Sequence, residues 1–169
     1  MSPEVARADP AADLCLEGGI EVKGLHIIAD LYNCQKGELL VSSDKLRDLC
    51  VNACRDVGLT VLGDHFYQFD GAEATQDGGA TGAVVLAESH LAIHTWPEAG
   101  FVTVDVYVCN YTTDNTAKAE RVFEALERAL QPAHTRFQAI HRGGREADTP
   151  LLPGESLRSA RSSSMTHDG

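Results

Sequence analysis

The sequence predicts an α+β fold: a two-layer sandwich in which an antiparallel β-sheet carries two helices on one face. Three observations lead there. Val102, Val104, Val106 and Val108 alternate with Thr103, Asp105, Tyr107 and Cys109, the period-two pattern of a strand buried on one side. Two stretches, 43–57 and 116–130, repeat apolar residues at steps of three and four, as amphipathic helices do. The order along the chain is strand, helix, several strands, helix, strand, which an antiparallel sheet accommodates economically. Two helices cover one sheet face only, so the other needs a partner, and two sheets facing each other in a dimer are the simplest remedy.

Each element has its own signals. Residues 1–20 are rich in Ala, Pro and Asp and read as a flexible arm. Lys23 to Cys34 is dense in branched and aromatic residues and reads as a strand. In the first helix Leu46, Leu49, Cys50, Ala53, Cys54 and Val57 share a face; Ser42 or Ser43 can cap its start and Gly58 closes it. Cys50 and Cys54 are expected to pack in the core, where a free thiol behaves as a small hydrophobe. Leu59 to Phe69 is a second strand, and Asp70 to Ala80 a Gly/Asp/Ala-rich loop. Gly82 to Trp96 holds an apolar run, a break near Glu88-Ser89 and a further strand; Phe101 to Cys109 follows. The alternation there sends Cys109 to the face opposite the valines. The second helix buries Val122, Phe123, Leu126 and Leu130 and stops before Pro132, and His134 to His141 makes a last strand. The folded domain is expected over 21–148, and 149–169, Ser/Arg-rich toward its end and without apolar periodicity, reads as a disordered tail.

Composition excludes several classes. With 43% hydrophobic and 23% charged residues in 169, the chain reads as a soluble globular domain. Its net charge of -11 argues against nucleic acid and against an acidic membrane surface. No run approaches the ~20 apolar residues of a membrane span, and the N-terminus lacks the apolar core of a secretory signal. The odd number of cysteines, without metal-type spacing, points to reduced thiols and a cytoplasmic location.

The reactive side chains concentrate in Glu88-Ser89-His90-Leu91-Ala92-Ile93-His94-Thr95-Trp96-Pro97-Glu98, followed by Cys109. Singly, each has an ordinary structural explanation; the conjunction carries the argument. His90 and His94 share a strand face, but no third ligand stands at metal spacing, so no metal is expected. A thiol hydrolase built on Cys109 and His94 would leave the Glu88-Ser89 pair unexplained. His26, inside a strand, reads as a satisfied core histidine; His65, His134, His141 and Asp105 carry no assignment.

The run ESHLAIHTWPEAGFVTVDVYVCN, with GLHIIADLYNC, HFYQF and GGATGAVVLAES before it, resembles the bacterial and archaeal S-adenosylmethionine decarboxylases. Counterpart elements cover roughly Lys23 to Arg145. The resemblance implies a proenzyme that cleaves itself between Glu88 and Ser89, converting Ser89 into a covalent pyruvoyl cofactor. Thr81 matches a hydroxyl that helps the acyl shift, and His94 a base or its partner in processing. The substrate amine would form a Schiff base with the pyruvoyl ketone. Cys109 matches the acid that reprotonates the substrate carbon, and a thiol of pKa ~8.5 is mostly protonated at neutral pH. Phe69 matches an aromatic that stacks on adenine, and Glu98 a carboxylate that binds ribose hydroxyls. The family's dimers imply a homodimer of cleaved two-chain units with sites near the interface. The expected role is supply of aminopropyl groups for spermidine.

One departure bears on the substrate. Where the family has a short proline-containing link, this chain has DGAEATQDGGA, with Asp70, Glu73 and Asp77. The segment reads either as a tolerated surface insertion or as a reshaped pocket favouring L-ornithine or L-arginine under the same chemistry. A third possibility is an uncleaved, non-catalytic homologue acting as a binding or regulatory partner.

Overall fold

A computed structural model describes residues 23–71 and 77–143, and among them are six strands and three helices. They follow in the order β1 (Lys23–Tyr32), α1 (Gly37–Leu40), α2 (Ser43–Asp56), β2 (Val61–Asp70), β3 (Asp77–Leu86), β4 (Ser89–Trp96), a 3-10 turn (Pro97–Ala99), β5 (Phe101–Cys109), α3 (Thr116–Leu130) and β6 (His134–Gly143). The sheet runs β2-β3-β4-β5-β1-β6, with every neighbouring pair antiparallel. Helices α2 and α3 pack on one face, as the patterning predicts. The short α1 and the 3-10 turn have too few residues to show a period and escape a sequence reading.

The core is the alternation made solid. Leu25, Ile27 and Leu31 of β1, Val84 of β3, Leu91 and Ile93 of β4 and the four valines of β5 point to one side. They meet Leu46, Cys50 and Cys54 of α2 and Val122, Leu126 and Leu130 of α3, all fully buried. Each large aliphatic side chain so buried contributes about 1.5–3 kcal/mol. Burial also pushes the Cys54 thiol up to about 12, so both helix cysteines are inert packing groups, as expected. Ser42 is the cap of α2, its hydroxyl accepting from the Lys45 N–H at 3.3 Å, and Gly58 (φ +77°) follows the helix end.

Two expectations need correction. The segment from Asp70 to Ala80 is not all loop: β3 already begins at Asp77. Gly78 and Gly79 are there for closeness, since a Cβ on Gly79 would lie 2.0 Å from the Thr95 carbonyl oxygen. His26 is satisfied but not in the core; it lies on the open sheet face with Asp105. The arm at 1–20, the tail at 149–169 and Glu73 of the insertion lie outside the described residues, as does the Asp77 side chain. No described helix is long and apolar enough to cross a membrane.

Candidate active site

The sequence-predicted residues fall into two groups at opposite ends of the sheet. The first is built on the β3–β4 hairpin. Leu86 pairs with Ser89, leaving Ala87-Glu88 as a two-residue loop. Such loops favour glycine or asparagine where φ is positive, yet here Glu88 takes φ +60°. A non-glycine residue in that conformation costs about 1–2 kcal/mol, and the strain lies in the residue that precedes Ser89. The Ser89 hydroxyl oxygen accepts the Cys109 main-chain N–H at 3.0 Å, tying the hairpin to the end of β5. Cys109 is buried, 7% exposed, on the strand phase opposite the valines. Ser89, Glu88 and Cys109 are therefore together.

His94 and Thr81 form the second group. They are cross-strand partners, and the Thr81 hydroxyl lies 2.6 Å from His94 Nδ1. Both line a cleft of about 520 Å³ with Phe69, Asp70, Trp96 and Glu98. Phe69 is 49% exposed, so its ring is available to a ligand, and it meets Tyr67 edge-on at 5.0 Å. Glu98 sits in the 3-10 turn with its carboxylate exposed. The cleft wall is held by Thr95, 5% exposed, whose hydroxyl accepts from Ala80 N–H at 2.8 Å and donates to the Leu40 carbonyl at 2.7 Å. That last bond is what fastens α1 under the cleft.

Within one chain the two groups do not meet. Ser89 and His94 are five positions apart on β4, which at ~3.3 Å per residue is ~16 Å. Their strand phases also differ: Ser89 shares the phase of Leu91 and Ile93, His94 that of His90 and Trp96. A linear reading places them side by side because it counts residues, not rise per residue.

The open face between the groups carries features the sequence reading missed. Near the Ser89 end, His26, Tyr107 and His90 form a cross-strand row, with ring centroids 5.8 and 5.5 Å apart. His26 Nε2 lies 3.2 Å from Asp105 Oδ1, and the Arg142 guanidinium stacks over Tyr107. Partial burial and then His26 hold the His90 imidazole below its ordinary pKa, with Asp105 pulling the other way and Arg142 adding a lesser downward push. Near the cleft, Tyr32, Phe101 and Trp96 make a second row at 5.1 and 5.2 Å. Each residue is visible in its own strand's alternation; only the sheet order brings them into rows.

Comparison with known proteins agrees over the described region. A family model described as S-adenosylmethionine decarboxylase matches residues 25–143. The chain is 40% identical over 136 residues to the S-adenosylmethionine decarboxylase proenzyme of Aquifex aeolicus, covering 80% of this chain and 93% of that one. It is 38% identical over 120 residues to the proenzyme of Picrophilus torridus, covering 71% and 84%. The crystal structure of the adenosylmethionine decarboxylase from Aquifex aeolicus superposes with a TM-score of 0.63 at 36% identity, over 78% of this chain and 99% of the other.

Proposed function

The chain belongs to the S-adenosylmethionine decarboxylase family, and on that premise we propose that it is a self-processing, pyruvoyl-dependent decarboxylase of S-adenosylmethionine serving spermidine synthesis. The observation that carries the reading is the Glu88-Ser89 turn, with Glu88 at φ +60° and the Ser89 hydroxyl held by the Cys109 N–H. A nucleophile held next to the carbonyl of a residue in a strained turn suits an acyl shift. The Ser89 oxygen bonds to the Glu88 carbonyl carbon as the C–N bond breaks, giving an ester and a free amine. Loss of the Ser89 Cα proton then breaks the Cβ–O bond, leaving a Glu88 carboxylate and a dehydroalanine. Water converts the latter to a ketone as ammonia leaves. The resulting pyruvoyl group supplies an electron sink for decarboxylation. Cys109, buried beside position 89, is the acid that returns a proton to the substrate carbon.

His94 and Thr81 act in processing, Phe69 stacks on adenine and Glu98 binds the ribose hydroxyls. These assignments rest on the cleft the four residues share. A cleft at one end of a sheet and a reacting residue at the other are reconciled by a homodimer. Two open faces packed with their strands reversed set the strand end that carries Ser89 and Cys109 over the His94 end of the partner subunit. Tyr32, Trp96 and Val85, exposed on that face, support its burial against a second copy. The domain is taken as 21–148. A cytoplasmic location suits the free cysteines at 34, 50, 54 and 109.

Intact mass under denaturing conditions tests processing: two fragments meeting at Glu88 and Ser89 are expected, and a single stable full-length species refutes the enzymatic reading. Carbon dioxide release from S-adenosylmethionine, ornithine and arginine in parallel tests the substrate. For the composite site, His94→Ala and Cys109→Ala chains are co-expressed. Random pairing makes half the dimers mixed, each with one intact site, so about a quarter of wild-type activity is expected from two inactive parents. No recovery overturns the shared site.

A further inference from the structure

Asn115 is bound to the reacting end in a way the proposed chemistry leaves unused. Its main-chain N–H donates to Asn110 Oδ1 at 2.8 Å, and its side-chain Nδ2 donates to the Cys109 carbonyl at 2.9 Å and to the Thr113 carbonyl at 3.2 Å. Asn110 is in turn anchored, its N–H on the Lys23 carbonyl at 2.7 Å and its Nδ2 on Thr116 Oγ1 at 3.0 Å. Asn115 precedes α3 at the position where a side chain ordinarily caps the helix, yet it makes no cap bond. Its amide is spent on Cys109 instead. The Cys109 residue is thus gripped on both sides: its carbonyl by Asn115, its N–H by the Ser89 oxygen.

We propose that Asn115 is a positioning residue for self-cleavage, holding the Cys109 main chain so that its N–H keeps the Ser89 hydroxyl against the Glu88 carbonyl. The inference rests on the self-processing reading and adds a part to it. The arrangement acts on the first step, formation of the ester, because it fixes the attacking oxygen. It has no contact that would assist removal of the Ser89 Cα proton. A carboxamide is required: the amide donates to the carbonyl, whereas a carboxylate of the same shape would set oxygen against oxygen.

The test is Asn115→Asp in the full-length chain. Aspartate is favoured at a helix start, which offsets part of the two bonds lost, so melting temperature is expected to fall by only a few degrees. Self-cleavage, followed by intact mass from freshly made precursor, is expected to slow about tenfold, the worth of one lost hydrogen bond to a positioned group. Hydroxylamine, which cleaves esters, should release no additional fragment, because the block precedes the ester. The gap from wild type should narrow as pH is lowered from about 6 toward about 4, where an aspartate of pKa ~3.9 becomes protonated and can donate where the carboxylate cannot. Asn110→Ala loosens the same loop without removing the Cys109 bond and is expected to slow cleavage less. Wild-type rates in Asn115→Asp, accumulation of an ester, or equal slowing in Asn110→Ala would each overturn the proposal. A wild-type chain that never cleaves would instead overturn the parent reading.

Discussion

Replacing Thr95 by valine removes one oxygen and should cost more than its size implies. The side chain is nearly isosteric, so packing against the core is kept. What is lost is an acceptor for the Ala80 N–H and a donor for the Leu40 carbonyl, at 2.8 and 2.7 Å. Ala80 and Leu40 are each 1% exposed, so water has little access to either orphaned group. An unsatisfied buried polar group costs about 1–3 kcal/mol, giving about 2–6 for the pair. The added methyl returns about 1 kcal/mol, which leaves a net loss of about 1–5. In the uncleavable Ser89→Ala background, urea unfolding should show a midpoint lower by about 0.5–2.5 M, for a slope of about 2 kcal/mol per M. Thr95→Ser is the control: it keeps the hydroxyl, loses a methyl and should cost about 1 kcal/mol. If valine proves milder than serine, the hydroxyl does not fasten α1 to the cleft and the reasoning fails.

Three further outcomes follow from the geometry. Glu88→Gly relieves the left-handed turn, so stability of the precursor should hold or rise by up to about 1 kcal/mol while cleavage slows; faster cleavage would separate strain from processing. Gly82→Ala should destabilise severely, because a Cβ there would lie 2.0 Å from Phe66 Cδ1, and adding Phe66→Leu should recover part of the loss in a thermal melt. His90, surrounded by His26, Asp105, Tyr107 and Arg142, has a folded pKa below its ordinary 6.5. The unfolded chain then binds that proton first, so stability should fall as pH drops below about 6.5, and His90→Gln should flatten that part of the slope in urea titrations; an unchanged slope would mean His90 is not the group responsible.

The fold was legible wherever one face of an element is buried and the other wet. The valines of β5 and the three-four spacing of α2 and α3 are direct imprints of that asymmetry. Legibility failed at Gly78 and Gly79, where glycine signals a loop by composition but here permits backbones to touch. It failed at α1, since a four-residue helix held from outside by Thr95 leaves no period to find. His26 was misplaced because polar partners on another strand, not apolar neighbours, satisfy it.

For the candidate site, the sequence itself pointed to the chemistry: Glu88, Ser89, His94 and Cys109 are reactive groups whose spacing along the chain no folding changes. It also determined their strand phase, because side chains alternate along every strand. Only the tertiary structure decided which of them meet. Cys109 reaches Ser89 across the β4–β5 ladder although twenty positions separate them, while His94, five positions away, ends at the other end of the sheet. The physical reason is that a strand spends ~3.3 Å on every residue, whereas antiparallel pairing brings distant residues within a hydrogen bond at no cost in length.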